Sequence, residues 1–237
     1  MNQLQIGSKT IPYDIQESKK RKRMGLIISP HGKLTVKTPM EKTSEEIFHF
    51  LQQKKPWILQ KSKEVNKFHD SHQPLEFLSG EKLYYKGRRY RLKVKRTDCN
   101  QIQFKFDKGK FLLTTPEDKH DLDAIRSNVQ SWFQDQAENY FLHRVHHYAK
   151  KLGLTPAGIE IVDTDRFWGE NRKETIFLNW RLIMAPASVQ DYIIVHELTH
   201  LKQSKHSEKF WEIVSSVIPD FQQRKEWLRL NRSQLYF

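Results

Sequence analysis

The sequence of 237 residues predicts an α+β fold made of two modules, with a boundary after Pro116. Residues 1–116 carry short runs in which apolar and polar side chains alternate, as in strands, whereas residues 117–237 carry apolar residues at helical spacing. The charge divides at the same place. The first part holds 25 Lys and Arg against 11 Asp and Glu, and the second holds 16 against 17. These observations indicate a basic β-rich N-terminal module followed by a compact domain with a different partner.

The composition favours a reducing compartment. The chain contains one cysteine, Cys99, so no disulfide can form within it. The N-terminus has no signal-peptide pattern, and no apolar stretch is long enough to span a bilayer. We therefore expect a cytoplasmic protein without a membrane partner.

Three pairs of strands are predicted in the first module. MGLIIS and KLTVKT flank the turn signal PHG, LYYKGRRYRLKV alternates around Gly87, and IQFKF and KFLLTT are joined by D-K-G, a plausible three-residue hairpin loop. One helix interrupts the strands, because Thr43 and Glu46 have the spacing of a capping box. Pro56 is expected to kink or break that helix.

The second module is predicted to open with one long helix that ends at Gly153. Two strands follow, in GIEIVDTD and KETIFLNWRL. Ser188 and Asp191 have capping-box spacing and predict the start of another helix. Two more helices are predicted over SEKFWEIVSSV and PDFQQRKEWLRL, with Asp220 as the N-cap of the last.

The stretch HELTHLKQSKH, residues 196–206, carries a metal-site pattern on the helix that Ser188 opens. At about 100° per residue, His196 and His200 lie one turn apart on one face, where two imidazoles can share a cation. Glu197 lies beside that face, so its carboxylate can reach a metal-bound water without being a ligand. Neutral imidazoles suit Zn²⁺, which lowers the pKa of bound water so that a carboxylate can take its proton.

A third histidine, His206, can join this site only if the helix ends after Leu201. In a continuous helix, His206 would lie about 15 Å along the axis from His196. The polar run 202–205 lacks apolar periodicity and fits a break, and Ser207 can cap a new helix. His206 is then expected at the corner between two helices, pointing back at the metal.

The surrounding residues resemble the YgjP-like metal-dependent hydrolases, which are related to the SprT and WLM zincins. The resemblance rests on an N-W-R-L strand, an M-A-P turn, the Y-x-x-x-H-E-L-x-H-L helix and H-S-x-x-F-W, and it extends upstream to FLSGEKLYYKGRRYRLKV. It implies a zincin-like domain, zinc held by His196, His200 and His206, and Glu197 as the catalytic base. One departure is that R-F-W-G-E stands at Arg166–Glu170 where the family commonly has R-W-G-S-C, so no role of that Ser-Cys pair carries over.

These features predict a zinc-dependent metallopeptidase that hydrolyses peptide bonds. The TIFLNW strand is expected against the active-site helix, where an exposed strand edge can accept an extended peptide. Two alternatives stay open: a metal-dependent nucleotide phosphohydrolase of the nucleoside triphosphate pyrophosphatase type, and a protease recruited by nucleic acid. Against the phosphohydrolase, the sequence has no Gly-rich phosphate loop and no carboxylate cluster for Mg²⁺.

Two basic stretches are candidates for a polyanion partner, SKKRKR at 18–23 and KGRRYRLKVKR at 86–96. In the second, basic residues alternate with Tyr90, Leu92 and Val94, so one strand face is predicted to be basic and the other buried. Such a surface can bind nucleic acid or nucleotide, or it can serve solubility alone. The first stretch can equally be an edge strand protected by charge.

Two further features of the sequence are better explained by a structural role than by a metal-binding or catalytic one. His143 and His147 have i,i+4 spacing on the long helix, but no acid or third ligand accompanies them. A solvated or packing face is therefore the better hypothesis for them. Cys99 has no catalytic or metal-type neighbour in sequence, and we interpret it as structural.

Overall fold

The computed structural model describes residues 2–7, 9–28, 33–62, 75–98, 101–117 and 121–237. The predicted turn at 30–32 and Cys99 lie outside these residues. The chain forms two compact units, Met1–Gln73 (unit 1) and Pro74–Phe237 (unit 2). Sheets and helices occur in both, which confirms a mixed α+β fold. Within the described ranges, no helix is both long and apolar enough to cross a bilayer.

Unit 1 is a four-stranded sheet packed against two helical segments. Its strands run in the order β1-β2-β4-β3: β1 (Asn2–Ile6), β2 (Lys9–Glu17), β3 (Gly25–Ile28) and β4 (Leu34–Thr38). Helix α1 (Ser44–Gln53) and a second segment, α2 (described over 55–62), supply the other side of the core. The buried core residues are Leu4, Leu34, Val36, Ile47, Leu51 and Ile58.

Helix α1 begins with the capping box predicted from the sequence. The Glu46 N–H donates to Thr43 Oγ1 at 3.2 Å, and the Thr43 N–H donates to the Glu46 carboxylate at 2.9 Å. The helix ends at Gln53, and helical geometry resumes at residue 55. The break therefore falls just before Pro56, which lacks the N–H that a continuous helix would use.

The first sheet of unit 2 has the same strand order as the sheet of unit 1. Its strands run in the order β5-β6-β8-β7: β5 (Lys82–Tyr85), β6 (Arg88–Thr97), β7 (Gln103–Asp107) and β8 (Lys110–Pro116). In both sheets the middle pair is parallel and the outer pairs are antiparallel. A buried threonine followed by proline lies at the end of one inner strand in each, Thr38 in β4 and Thr115 in β8. The sequence alone did not indicate this structural repeat.

The β7–β8 hairpin has a two-residue loop and not the predicted three-residue loop. Asp107 pairs with Lys110 across the turn. Both loop residues are left-handed, Lys108 with φ 45° and Gly109 with φ 75°. Two left-handed residues are the geometry of a type I′ turn, whose twist matches that of the flanking strands.

Helix α3 (Leu122–Leu152) has 31 residues and forms the centre of unit 2. The Asp121 side chain caps its start, and Gly153, with φ 62°, ends it as predicted. Its buried side chains recur every fourth residue, which gives one continuous apolar stripe. The residues of the stripe are Ile125, Val129, Phe133, Ala137, Phe141 and Val145.

The compact units divide at Gln73 and Pro74, whereas the sequence predicted a boundary after Pro116. The reason is an aromatic core shared by the sheet and α3. Phe104 and Phe111 stack at 5.1 Å, and their ring centroids lie 6.2 Å and 5.7 Å from that of Phe133. The change in charge along the chain therefore falls inside unit 2 and does not coincide with the boundary between the compact units.

The remaining elements of unit 2 follow α3 along the chain, and several of them pack against it. A three-stranded sheet has the order β10-β11-β9, from β9 (Gly158–Val162), β10 (Gly169–Arg172) and β11 (Thr175–Asn179). A 3₁₀ turn, η1 (Trp180–Met184), leads into the last helices. These are α4 (Ala187–Thr199), α5 (Glu208–Val217) and α6 (Phe221–Asn231), followed by a 3₁₀ turn, η2 (Arg232–Leu235).

Two local predictions around α4 differ from the structure. Only Asn179 of the N-W-R-L segment lies in a strand, and the next three residues form a 3₁₀ turn, because the Asn179 side chain accepts the Arg181 N–H at 3.0 Å and ends β11. Helix α4 starts at Ala187 without a side-chain cap, so the predicted capping box of Ser188 and Asp191 does not form. Asp191 instead accepts two hydrogen bonds from the Arg144 guanidinium on α3, at 2.9 Å and 2.7 Å.

Candidate metal centre

Helix α4 carries His196 and His200 one turn apart, as predicted. Almost every other residue of the helix is buried, so it is a core element with one partly exposed edge. The ring centroids of the two histidines are 5.1 Å apart. This edge of α4 therefore presents two imidazoles side by side.

The helix ends where the third histidine requires it. Its last residue is Thr199, two positions before the predicted end, and its carbonyl accepts the Lys202 and Gln203 N–H groups in a closing turn. The His200 ring contributes to this turn, with Nδ1 3.0 Å from the Gln203 carbonyl oxygen. Ser207 then caps α5 by accepting the Phe210 N–H.

The turn brings His206 back against the two histidines of α4. One ligand atom from each of the three side chains lies within 4.8 Å of the other two. His196 Nε2 and His206 Nε2 are 2.9 Å apart. Two imidazole nitrogens on a tetrahedral Zn²⁺, at about 2.0–2.1 Å each, would be about 3.3 Å apart. The three side chains therefore fit one ion of this size with small adjustments.

The surroundings of His196 and His206 favour the uncharged ring that a metal needs. Burial, together with the neighbouring His200, His206 and Lys225, lowers the pKa of His196 to about 3. Burial also lowers the pKa of His206, with smaller contributions from His200 and Lys225. Protons therefore do not compete with a cation for these two rings at neutral pH.

Glu197 is almost fully buried beside the histidines, with 5% of its surface exposed. Burial, together with the charge of Glu170, raises the pKa of its carboxyl to about 8, although a hydrogen bond from the Asn171 backbone N–H opposes the rise. The Glu197 carboxylate is not part of the cluster of potential ligand atoms within 4.8 Å of one another, which the three imidazoles form. Its position fits a base better than a ligand.

Strand β10 lies directly against Glu197, a contact that the sequence did not predict. A Cβ atom on Gly169 would be 2.7 Å from Glu197 Cγ and 2.8 Å from Ile193 Cγ2, so only glycine fits here. The Asn171 side chain also donates to the Glu197 backbone carbonyl at 3.2 Å. The four-residue strand GENR has no apolar alternation, which explains why it was missed.

The sheet order corrects the expectation for the TIFLNW strand. TIFLN forms β11, the inner strand, which is paired on both sides with β10 and β9. An inner strand has no free edge for a further strand. Strand β10 pairs only with β11 in the described part of the chain, and it is also the strand next to Glu197.

Aromatic side chains from the next two helices pack around the imidazoles. The Phe210 ring lies 4.7–4.9 Å from the centroids of all three histidines and closes the buried side of the site. Trp211 stacks on His206 at 5.6 Å and on Phe221 at 4.9 Å. Lys225 lies 5.4 Å above the Trp211 ring, which places a positive charge near the site.

The loops before α4 are fixed by buried polar contacts. Asn179 is fully buried, and its amide donates to the carbonyls of Thr164 and Phe167. Gln190 donates to the carbonyls of Ile183 and Ala185. These bonds hold the segments on both sides of η1 and set the start of α4.

The β5–β6 hairpin docks on the M-A-P turn at the start of α4. The Lys86 and Gly87 N–H groups donate to the carbonyls of Ile183 and Met184, both at 2.9 Å. A Cβ on Gly87 would lie 2.7 Å from Pro186 Cα, and its φ of +80° also favours glycine. The upstream segment that carries part of the family resemblance is thus in contact with the element that holds the histidines.

The other sequence candidates do not join this centre. His143 and His147 are exposed on α3. The group of His196, His200 and His206 is the one set of three potential metal-ligating side chains found in the described residues. The solvated interpretation of the α3 histidines therefore agrees with their placement.

The chain is similar to known metallopeptidases. A solved structure, the metallopeptidase zymogen of Pyrococcus abyssi abylysin, is 25% identical over 36% of this chain and 89% of its own chain, with a TM-score of 0.34. No curated protein matches. The sequence profile of the YgjP-like metallopeptidase domain matches residues 22–231, so the chain belongs to the YgjP-like metallopeptidase family.

Proposed function

We propose that this protein is a zinc-dependent peptidase that hydrolyses peptide bonds in extended protein segments. The observation that carries the proposal is the convergence of three imidazoles beside a buried carboxylate, in a chain of a metallopeptidase family. His196, His200 and His206 would hold the metal. Three neutral nitrogen donors with one open position are the ligand set of catalytic zinc.

When bound, zinc would polarise the scissile carbonyl and lower the pKa of water toward neutrality. Glu197 takes a proton from the attacking water at its carboxylate and returns it to the leaving amine nitrogen. Its burial keeps the carboxylate basic, with the pKa raised to about 8, while a dication nearby would favour its ionised form. Gly169 of β10 lies directly against the Glu197 side chain, which limits the room in which the carboxylate can move.

Strand β10 supports a peptide substrate. It lies at the edge of its sheet and contacts Glu197 through Gly169. An extended peptide can add to such an edge by backbone hydrogen bonds, which do not depend on side-chain identity. The scissile bond would then lie next to the carboxylate and the imidazoles.

The test is turnover by the zinc-loaded protein on an unfolded protein such as reduced, alkylated casein and, in parallel, on nucleoside triphosphates. The expected result is peptide cleavage that Glu197→Gln lowers by about 10²–10⁴, with zinc content unchanged. Triphosphate hydrolysis that Glu197→Gln abolishes, with no cleavage of casein, would favour the phosphohydrolase alternative and refute the peptidase proposal.

A further inference from the structure

The outer face of the β5–β8 sheet carries positive side chains that the proposed peptidase chemistry does not use. Leu92 on β6 pairs with Phe111 on β8 on the core side, so the residues that alternate with them point outward. Six of the seven outward cations are exposed, and Lys110 is half-buried. The cations of this basic face are Lys82, Arg89, Arg91, Lys93, Lys95, Lys105 and Lys110.

These charges are not neutralised within the sheet. Asp107, opposite Lys110, is the one acidic residue on the outward positions of the four strands. Across the described ranges, no carboxylate forms an ion pair with any cation of the basic face. The seven cations and Asp107 therefore give the face six net positive charges.

The sheet of unit 1 shows that the strand order does not require a basic face. Its outward positions on the two parallel strands, β2 and β4, carry one acid and one base, Asp14 and Lys37, among neutral side chains. Asp14 is itself paired with Lys33 at 2.6 Å. The two sheets have the same strand order, but their outward positions differ by several charges. The positive charge of the second sheet therefore comes from the side chains of β5–β8 and not from the topology.

The spacing of the basic face suits a chain of phosphates. Neighbouring outward residues on one strand are roughly 6.6–6.8 Å apart, and adjacent strands are about 4.8 Å apart. Arg89, Arg91, Lys93 and Lys95 thus form one row along β6. Such a row can neutralise successive phosphates and release their counterions, which is the main source of sequence-independent affinity.

One feature of the basic face favours nucleic acid over a lipid surface as its ligand. A second feature favours contacts with the phosphates over contacts with the bases. Within the described ranges, none of the large exposed hydrophobic side chains lies on β5–β8, so nothing on the face would insert into a membrane. The aromatic residue on the outward positions, Tyr84, donates its hydroxyl to Gln234 and has Arg89 over its ring. It is therefore not a free stacking platform for bases.

We propose that the basic face of the β5–β8 sheet binds the phosphate backbone of nucleic acid without reading base sequence. This goes beyond the proposed peptidase activity, because it assigns a second ligand to a different surface of unit 2. Binding is measured without turnover, so its failure and that of the peptidase proposal are distinguishable.

The experiment uses the full chain and fluorescence anisotropy with labelled DNA duplexes of two unrelated sequences. With about four phosphate contacts, affinity is expected to fall about 10²-fold between about 50 and 200 mM salt, equally for both sequences. Lys93→Glu with Lys95→Glu is expected to lower the log–log salt slope by about 2, since each cation contributes about 1. Lys19→Glu with Lys20→Glu makes the same charge change in the basic run 18–23 and is expected to keep the slope.

The design separates the basic face from general charge. Both lysine pairs are exposed, and circular dichroism checks that each variant is folded. Lys93→Gln with Lys95→Gln repeats the test without charge reversal. Absence of DNA binding at low salt, equal losses in the Lys19/Lys20 and Lys93/Lys95 variants, or binding to phosphatidylserine vesicles but not to DNA would each overturn the proposal.

Discussion

The two four-stranded sheets of this protein share one strand order but are packed against different partners. The β1–β4 sheet buries its inner face on α1 and α2, which complete a small core within unit 1. The β5–β8 sheet buries its inner face on α3, in the same core as the helix that carries His196. The same topology therefore serves once as a separate unit and once as a structural part of the metal-centre unit.

The inner side chains of the two sheets decide what each sheet packs against. Leu34 in β4 and Phe111 in β8 occupy corresponding positions, four residues before the buried threonines Thr38 and Thr115. Leu34 packs in an aliphatic core, whereas Phe111 lies among six other aromatic rings. The longer reach of the aromatic side chains joins the second sheet to α3.

Dividing the chain at the two candidate boundaries should change folding and zinc binding more than any single substitution. A fragment of residues 74–237 should fold cooperatively and bind zinc, because it keeps the whole core of unit 2. A fragment of residues 117–237 should lack a cooperative thermal transition, since it exposes Phe133 and the rest of the α3 stripe. Circular dichroism melts and zinc content measure both. A folded, zinc-binding 117–237 fragment would show that the second sheet is as separable as the first.

The next effect concerns the metal centre, which we expect to depend on unit 2 alone. His206→Ala removes one of three proposed ligands and should weaken zinc binding by at least about 10²-fold, more than the 10–100-fold typical of changes around a metal ligand. His143→Ala, an exposed histidine on α3, is the matched control and should leave zinc affinity unchanged. Competition with a chromophoric chelator measures both, in the full chain and in the 74–237 fragment. Unchanged zinc affinity in His206→Ala would show that the third ligand is misassigned.

Matched core substitutions compare the two sheets directly. Phe111→Ala should cost about 3–5 kcal/mol and Leu34→Ala about 2–5 kcal/mol, each in the stability of its own unit. Phe111→Ala should also reduce zinc retention on warming, because it loosens the core that holds α3 and α4 together. Leu34→Ala should leave zinc retention unchanged. Scanning calorimetry, with zinc release followed in parallel, measures both effects. If both variants release zinc at a lower temperature than the parent protein, the stability of unit 1 affects the metal centre and the prediction is wrong.

How much the sequence predicted depends on whether a feature is local. The helix of His196 and Glu197 and the return of His206 were predictable, because helical spacing and the need for a break both follow from adjacent residues. The Thr43 cap was predictable for the same reason. The roles of the three histidines and of Glu197 stay predictions until they are measured.

The features that sequence reasoning missed are set by contacts between distant residues. The β10 contact requires Gly169 to meet Glu197 across 28 positions of sequence, and a polar four-residue strand carries no periodic signal. The boundary after Pro116 followed a change in charge, whereas the packing of Phe104 on Phe133 decides where the unit ends. Asp191 has the spacing of a capping residue, but a guanidinium on α3 provides a stronger partner.

The smallest change in stability is expected from alanine at one glycine in the first hairpin of each sheet. Gly7 follows β1 with φ +60°, and Gly87 lies in the β5–β6 turn with φ +80°. Alanine at either position incurs the left-handed strain of about 1–2 kcal/mol. At Gly7 nothing lies within 4 Å of the added Cβ, so strain is the whole cost. At Gly87 the Cβ would be 2.7 Å from Pro186 Cα, and overpacking adds about 1–3 kcal/mol.

Gly87→Ala should therefore lower the Tm of unit 2 more than Gly7→Ala lowers that of unit 1. It should also slow peptide turnover, since a shift of Pro186 moves the start of α4 and with it the histidines and Glu197. Gly7→Ala should leave turnover unchanged. Calorimetry gives the two Tm values, and casein cleavage by each variant gives the turnover. If the two glycines prove equally tolerant of alanine in both measurements, the docking of the β5–β6 hairpin on the M-A-P turn does not support the metal centre. The two sheets would then differ only in the cores that they complete.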